Sequence, residues 1–169
     1  MKKLFLPVKE EEINQLKVGD KVLISGKILC GRDAVLPKLV AMSQEELKKS
    51  NIELEGGLIF HTAVSVAGIG PTSSNKYEIE SSIPNLSEKG VKIHLGKGEL
   101  GKETIKELEK NNSIYAVIPP VTALLKTKTI SQRVLAFEEE GMEALYEVEV
   151  DSIPAIVAAA HGKSVYDKE

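Results

Sequence analysis

The sequence predicts an α/β protein in which helices cover a mixed central sheet. Three passages, residues 21–42, 58–86 and 91–110, each run from an apolar strand-like stretch through a glycine-containing loop into a helix-like stretch. Strands that alternate with helices in this way form parallel sheets with covered faces. The later part of the chain is richer in strand-like runs, so antiparallel strands are expected as well. With 169 residues, the chain is expected to form a single domain, residues 1–169.

The individual elements follow from hydrophobic spacing and from residues that begin or break helices. Residues 1–7 are predicted to form a strand or a docking arm. Further strands are predicted at residues 21–30, 58–66, 91–95, 113–118, 133–137, 146–150 and 155–160. The predicted helices cover residues 10–16, 34–42, a stretch from Ser43, 77–88, 102–110 and 121–125, with a single turn at 141–145. Asp33 is the expected N-cap of the second helix. Ser43 and Glu46 form a capping-box pattern at the start of the third.

The composition argues against several classes of partner. The net charge is −3, so the chain lacks a basic field for nucleic acid or anionic lipid. Aromatic residues make up only 4% of the chain and Trp is absent, which argues against a base-stacking surface. The apolar runs are too short for a membrane span, and the first residues carry no adequate signal-peptide core. A cytoplasmic protein that binds neither nucleic acid nor membrane is therefore expected.

The cysteine and histidine content predicts no metal ligand on this chain. Cys30 is the single cysteine, which excludes an internal disulfide and a site with several cysteine ligands. It is expected to be a small buried apolar residue. His61, His94 and His161 do not show metal-ligand spacing, and the first two lie in strand-like runs. His61 and His94 are therefore expected to be packed, neutral histidines.

Each of the three strand–helix passages ends its strand with glycine and a cation. The loops contain Gly31-Arg32, then Gly70 through Lys76, then Gly96-Lys97-Gly98. In open α/β sheets, ligands bind beyond the carboxyl ends of the strands. The second loop, residues 68–76, also offers the hydroxyls of Thr72 and Ser73. Cations on such loops suit a dicarboxylate or a phosphate better than an apolar ligand.

These residues also have ordinary structural interpretations, which stay open at this point. Arg32 is equally explained as a solvated cation beside a helix cap, Lys97 as a turn lysine, and Thr72 as a partner for its own turn. The second loop lacks the spacing of a nucleotide-binding P-loop. The chain contains no nucleophile-elbow pattern. The glutamates between residues 138 and 149 are expected to form a solvated edge. They are residues 138–140, Glu143, Glu147 and Glu149.

The three loops, taken together with several other motifs, resemble a known family over nearly the whole chain. The matching motifs are residues 16–20, Ser25-Gly26, residues 31–34, Gly70-Pro71-Thr72-Ser73, Gly96-Lys97-Gly98, residues 137–144 and residues 148–155. Their order and spacing are similar to the β subunit, or C-terminal domain, of class I fumarases and L(+)-tartrate dehydratases. These enzymes are iron–sulfur hydro-lyases.

The resemblance implies a swivelling β/β/α domain that docks on a separate α subunit. That subunit would hold a [4Fe–4S] cluster through three cysteines, and an (αβ)2 hetero-oligomer is the expected assembly. The substrate, a small dicarboxylate, would bind between the cluster and the loops of this chain. The single Cys30 agrees with a cluster that lies outside this chain.

The resemblance also implies roles for individual residues. Arg32 would hold a substrate carboxylate, Thr72 would transfer a proton, and Lys97 would be the active-site lysine. Lys76 stands where the family has an arginine that grips the substrate. Further substrate-binding positions are Gly70, Ser73 and Gly98.

Three departures from the family pattern fall at or near positions that are expected to contact the substrate. The family has a histidine where Leu36 stands, an arginine where Lys76 stands, and Asn-Arg where Glu99-Leu100 stands. A lysine offers one point charge where an arginine offers a bidentate fork. The departures leave the substrate open.

The leading hypothesis, which rests on the agreement of Arg32, Thr72, Lys76 and Lys97 with the family pattern, is the β subunit of a hydro-lyase acting on fumarate, malate or a related hydroxy dicarboxylate. The alternatives are a tartrate dehydratase β subunit, a non-catalytic dicarboxylate-binding or regulatory domain, and a stand-alone phosphate-sugar or nucleotide-binding domain.

Overall fold

The computed structural model describes residues 1–65, 68–72, 76–118 and 128–167. Within these ranges, the side chains of residues 63–65, 68–72 and 76–79 are left out of the description. The strands are β1 Lys2–Phe5, β2 Lys21–Gly31, β3 Leu58–Ser65, β4 Gly68–Thr72, β5 Ile93–Gly96, β6 Ile114–Val117, β7 Thr129–Ala136, β8 Leu145–Ala160 and β9 Lys163–Ser164. The α-helices are α1 Glu10–Asn14, α2 Leu36–Ala41, α3 Gln44–Lys49, α4 Lys76–Glu88 and α5 Lys102–Lys110, and a 3₁₀ helix spans Glu138–Glu143.

A closed ring of strands forms the centre of the protein. Strands β2, β3, β5 and β6 are neighbours and run parallel. The long strand β8 pairs antiparallel with β6 on one edge and with β2 on the other, which closes the ring. β1 extends the sheet beside β2, and β7 extends it beside β8. The predicted α/β class with a mixed sheet is thus confirmed, and the sheet is barrel-like.

Alternating strand residues divide the core between the inside and the outside of the ring. The inside is filled by apolar side chains from every ring strand, including Ile24, Ile28, Cys30, Leu58, Phe60, Ile93, Leu95, Ile114, Ala116, Val148 and Val157. On the outside, one cluster packs under α2 and α3 and a second packs under α4 and α5. Ile105 and Leu108 of α5 are buried in the second cluster, as predicted. Cys30 is fully buried, also as predicted, and burial raises the pKa of its thiol.

Most of the predicted elements are present with small shifts at their ends, but the end of the chain was predicted wrongly. Two strands, 146–150 and 155–160, were expected where the single strand β8 runs for 16 residues. The polar interruption between them is absorbed by an irregularity in the β2–β8 ladder near Gly26. There the backbone N–H of Ser152 donates to Ser25 Oγ at 2.8 Å. A side chain of the partner strand therefore binds the backbone where the ladder is irregular, and β8 continues through its polar stretch.

Two local predictions about loops and caps are also wrong. Residues 68–72 were expected in a loop, but they form β4, which pairs antiparallel with β3. Asp33 was expected to cap α2, but the N-cap position is Val35 and no side chain caps the helix. The reason is a tight turn, in which the N–H groups of Val35 and Leu36 both donate to the carbonyl of Arg32.

Two boundaries were also misplaced: the single turn expected at 141–145 is the 3₁₀ helix Glu138–Glu143, and the strand expected at 133–137 begins at Thr129. The capping box predicted for the third helix is confirmed. Ser43 and Glu46 form the capping box of α3, with both hydrogen bonds at 3.2 Å. The helix expected at 121–125 lies outside the described residues. None of the described helices is long and apolar enough to cross a membrane.

Candidate active site

The register of the parallel strands brings two of the predicted loops to one end of the ring. Gly31 of β2 pairs with His61 of β3, and the residue before His61 pairs with Leu95 of β5. Gly31, His61 and Gly96 therefore lie at one level, and Arg32 and Lys97 follow one residue later. Since neighbouring strands are about 4.8 Å apart, the backbones of Arg32 and Lys97 are separated by roughly 10 Å. We call this end of the ring, defined by Arg32, Thr62 and Lys97, the mouth.

Arg32 is held at the mouth by the turn that follows β2. Its carbonyl accepts hydrogen bonds from Val35 at 3.1 Å and from Leu36 at 2.9 Å. Its side chain is 31% exposed, and its Nε lies 4.0 Å from Oε1 of Glu143 in the 3₁₀ helix. A guanidinium at this position can present its fork to an incoming carboxylate while one edge faces Glu143.

The glutamates near the 3₁₀ helix are only partly the solvated edge that was expected. Glu139 is mostly exposed and Glu140 and Glu143 are more buried, but all three lie in ion pairs. Lys38 of α2 binds Glu140 at 2.7 Å and Glu139 at 3.4 Å, and its Nζ lies 5.4 Å from the ring centroid of Phe137. These contacts hold the 3₁₀ helix next to α2, where Glu143 lies near Arg32. A local charge pattern could not reveal this contact, because its partners are more than 100 residues apart in the sequence.

The two glycines of the third loop are required for different reasons. A Cβ at Gly96 would lie 3.0 Å from Tyr115 Oη and 3.2 Å from Tyr115 Cε1. At Gly98 there is open space, but the φ angle of +87° disfavours any other residue. Lys97, between them, is exposed and forms no ion pair with a described residue. Its ammonium group is therefore available to an anion at the mouth.

The second loop reaches the mouth as a strand instead of a turn. Thr72 pairs through its backbone with Thr62, the residue of β3 that follows His61. Gly70 lies in the same strand, and α4 begins four residues after Thr72, at Lys76. The structure thus brings Arg32, Thr72 and Lys97 to one end of the ring. Ser73 lies outside the described residues, and the side chains of Thr72 and Lys76 are not described.

A row of buried polar side chains lies beneath α4, next to the mouth. His61 and His94 have ring centroids 5.7 Å apart, and His94 pairs in register with Tyr115 on β6. Ser87 of α4 binds His94, with 2.9 Å between Oγ and Nε2. Burial lowers the pKa of His61 to about 4, and burial, with a smaller contribution from the neighbouring His61, lowers the pKa of His94 well below its ordinary value. Both histidines are therefore packed and neutral, as predicted.

The sequence alone did not reveal that His61, His94 and Tyr115 form one row. Their adjacency depends on the pairing of β3, β5 and β6, so the only available signal was the outward position of each in its strand. Among the described residues, His61 Nε2, His94 Nδ1 and Tyr115 Oη find no hydrogen-bond partner. Burial, with smaller contributions from Tyr166 and Glu80, raises the pKa of the Tyr115 hydroxyl.

The described residues do not fit an iron–sulfur cluster or another metal. No group of three His, Cys, Asp or Glu side chains in the described ranges lies where it could hold an ion. Cys30 is buried inside the ring and its thiol is kept neutral by burial. Two surface cavities of about 480 and 680 Å³ are lined by described residues, but neither includes Arg32 or Lys97.

The amino-acid sequence that forms this ring and its cationic loops matches a known protein family. The family model for the fumarase C-terminus matches residues 2–169. A Methanocaldococcus jannaschii protein, provisionally named an L(+)-tartrate dehydratase β subunit, is 30% identical over 99% of this chain and 92% of its own length. The L(+)-tartrate dehydratase β subunit of Escherichia coli K12 is 28% identical over 98% of this chain and 87% of its own length.

Relatives much longer than this chain match as well. Fumarate hydratase 2 of Leishmania major is 28% identical over 94% of this chain, which spans only 29% of that enzyme. The chain belongs to the fumarase C-terminal domain family. The resemblance seen in the sequence is thereby confirmed, as is the prediction of a hydro-lyase β subunit, since these relatives are named as enzymes that add or remove water.

Proposed function

We propose that this chain is the β subunit of a two-subunit, iron–sulfur-dependent hydro-lyase that adds or removes water on fumarate, malate or a related hydroxy dicarboxylate. The observation that carries the proposal is the meeting of Arg32, Thr72 and Lys97 at the mouth. Family membership supports the reaction class. Two cations and a hydroxyl-bearing residue at one site suit a dianionic substrate whose carbon-bound proton must be moved.

Each residue at the mouth has a distinct role in the proposed reaction. Arg32 binds one substrate carboxylate through two parallel N–H···O bonds. Lys97 stabilises the negative charge that develops on the carboxylate next to the carbon losing its proton. Thr72 transfers that proton. Gly70, Ser73 and Gly98 contribute backbone or hydroxyl contacts to the substrate, and Lys76 adds a point charge where an arginine fork would bind more tightly.

The remaining part of the site is proposed to come from a partner subunit. A [4Fe–4S] cluster, held by cysteines of an α subunit, would supply the Lewis acid for the leaving hydroxyl. The donor set of the described residues offers no place for that cluster. The β-subunit names of the relatives that match over nearly their whole length support an α partner. We propose an (αβ)2 hetero-oligomer in the cytoplasm, in which residues 1–169 form one domain that swivels against the α subunit.

Tartrate is the second substrate candidate, and one observation favours it. The relatives that this chain covers to 92% and 87% of their length are named as tartrate dehydratase β subunits, whereas the fumarate hydratase match covers 29%. The subunit organisation therefore agrees with the tartrate enzymes, although the reaction class is the same for both.

Substitutions at the mouth test the proposal in the complex with the α subunit. Thr72→Ala and Lys97→Ala are each expected to lower kcat by about 100-fold or more, because each removes a group that acts in the transition state. Lys106→Ala is the control, since Lys106 is an exposed lysine of α5 with an ion pair only to Glu103 among the described residues. An active complex that keeps full turnover after both mouth substitutions would reject these site assignments. Carboxylate binding in calorimetry without turnover in any complex would favour the non-catalytic binding domain.

A further inference from the structure

Lys97 reaches the mouth through a loop that is anchored at both ends. At its start, Gly96 lies against Tyr115, and any side chain there would contact the tyrosine ring and hydroxyl. At its end, the N–H of Gly101, the N-cap of α5, donates to a carboxylate oxygen of Glu80 in α4. Leu100, between these points, is 4% exposed and packs in the cluster under α4 and α5.

Tyr115 is too tightly enclosed to give way at the first of these anchors. It is 1% exposed and packs with Ile83, Leu100 and Leu108. A close-packed interior transmits a displacement instead of absorbing it. Its hydroxyl finds no partner among the described residues. Such a buried hydroxyl is unfavourable for stability, so packing energy alone would favour a phenylalanine at this position.

We infer that Tyr115 is a positioning residue for Lys97. The end of the Tyr115 ring lies against Gly96, and Lys97 follows Gly96 directly at the mouth. The inference deepens the proposed function, on which it rests for the role of Lys97. Gly96 is then required because Tyr115 leaves no room for a side chain, whereas Gly98 is required because of its positive φ angle.

A pair of complementary substitutions tests the inference in the complex with the α subunit. Gly96→Ala places a Cβ 3.0 Å from Tyr115 Oη, so it is expected to push Lys97 out of position and to lower kcat/KM by roughly 10- to 100-fold. In Gly96→Ala/Tyr115→Phe the nearest clashing atom is gone, and about half or more of that loss, on a logarithmic scale, is expected to return. Gly96→Ala/Tyr146→Phe is the matched control and should not recover, since Tyr146 lies on β8 and pairs with β2 and β7, neither of which is a neighbour of β5. Full turnover in Gly96→Ala, or equal recovery with either phenylalanine, would overturn the inference.

A measurement on the full chain without its partner separates this inference from the proposed function. The amide NMR signals of Lys97 and Gly98 are expected to shift in Gly96→Ala and to move back in the double variant with Tyr115→Phe. If Gly96→Ala does not fold, Tyr115→Leu removes the ring end without a clash and is expected to shift the same two signals. Unchanged signals in Tyr115→Leu would overturn the inference. The expected shifts in a chain whose wild-type complex turns over no dicarboxylate would instead reject the proposed function and retain the positioning role.

Discussion

At the scale of single residues, the kind of cation at each position decides how a carboxylate is held. Arg32 has a planar fork whose Nε edge faces Glu143 at 4.0 Å. Lys97 has a single ammonium group on a flexible stem, and it is exposed between two glycines. A fork fixes the orientation of a carboxylate, whereas an ammonium group contributes charge with little directional demand. Arg32 is therefore the residue expected to orient the substrate.

Replacing Arg32 by lysine tests this difference. Arg32→Lys keeps the charge but removes the bidentate contact, so the KM for the dicarboxylate is expected to rise about tenfold or more in the α-subunit complex. Arg133→Lys is the matched control. Arg133 of β7 forms an ion pair with Glu147 of β8, so this substitution should leave KM unchanged. Steady-state kinetics of the two variants measure the effect. An Arg32→Lys complex with the KM of the wild type would contradict a carboxylate-binding role.

The buried histidines predict a loss of stability in mild acid. The folded pKa of His61 is about 4 and that of His94 is also lowered, whereas the unfolded value is 6.5. The unfolded chain therefore binds protons first as the pH falls, and stability that is complete above pH 6.5 is lost on the way to pH 4. For His61 alone, the loss between pH 7 and pH 5 is on the order of 2 kcal/mol. Urea unfolding at the two pH values measures it, and an unchanged or higher free energy of unfolding at pH 5 would contradict the neutral buried pair.

Burial of residues was easier to predict from the sequence than their contacts. The burial of Cys30, His61 and His94 follows from apolar neighbours within the same strand, and it is confirmed. The approach of Glu143 to Arg32 and the alignment of His94 with Tyr115 depend on packing between distant segments. Local periodicity contains no information about either contact.

At the scale of elements, strong local signals gave correct results and mixed ones did not. Helix α5 begins and ends at the predicted residues. The segment Gly68–Thr72 contains glycine and proline, which usually indicate a turn, but it forms a strand because it pairs with β3. The polar centre of β8 similarly suggested a break, which the pairing with β2 prevents. In both cases the tertiary partner overrides the local preference.

The capping box of α3 is a local signal that can be measured directly. Ser43 Oγ accepts the N–H of Glu46, and the carboxylate of Glu46 accepts the N–H of Ser43. Ser43→Ala leaves an N-terminal donor of this short helix without its partner and is expected to lower the free energy of unfolding by about 1 kcal/mol. Ser50→Ala at the C-cap of the same helix is the control and should change it much less. Chemical denaturation of both variants measures the difference, and equal effects would contradict the capping role.

At the scale of the whole molecule, the closed ring explains why three distant loops meet. β8 joins β6 to β2 and so closes the ring of parallel strands around one core. The carboxyl ends of β2 and β5 then face the same end, with β4 beside them. The sequence predicted the α/β class and the mixed sheet. It did not predict the closure, because closure depends on the pairing of strands that are more than 100 residues apart.

Under the proposed function, the chemistry of water removal is shared between two proteins. The described residues of this chain offer cations and proton-transfer candidates at the mouth, but no donor set for a metal. An active site at the mouth is therefore expected to be complete only when the α subunit covers it. The isolated chain is expected to bind a dicarboxylate weakly and to turn over none.

The most direct test is an assay of water addition and water removal by the chain with and without its α subunit. The complex, reconstituted anaerobically with its cluster, is supplied with fumarate, malate, L-tartrate and methylated analogues, and the isolated chain is assayed in parallel. We expect turnover of at least one of these dicarboxylates by the complex and none by the isolated chain. A cluster-loaded complex that is inactive on every one of them, or an isolated chain that is active alone, would contradict the proposed function.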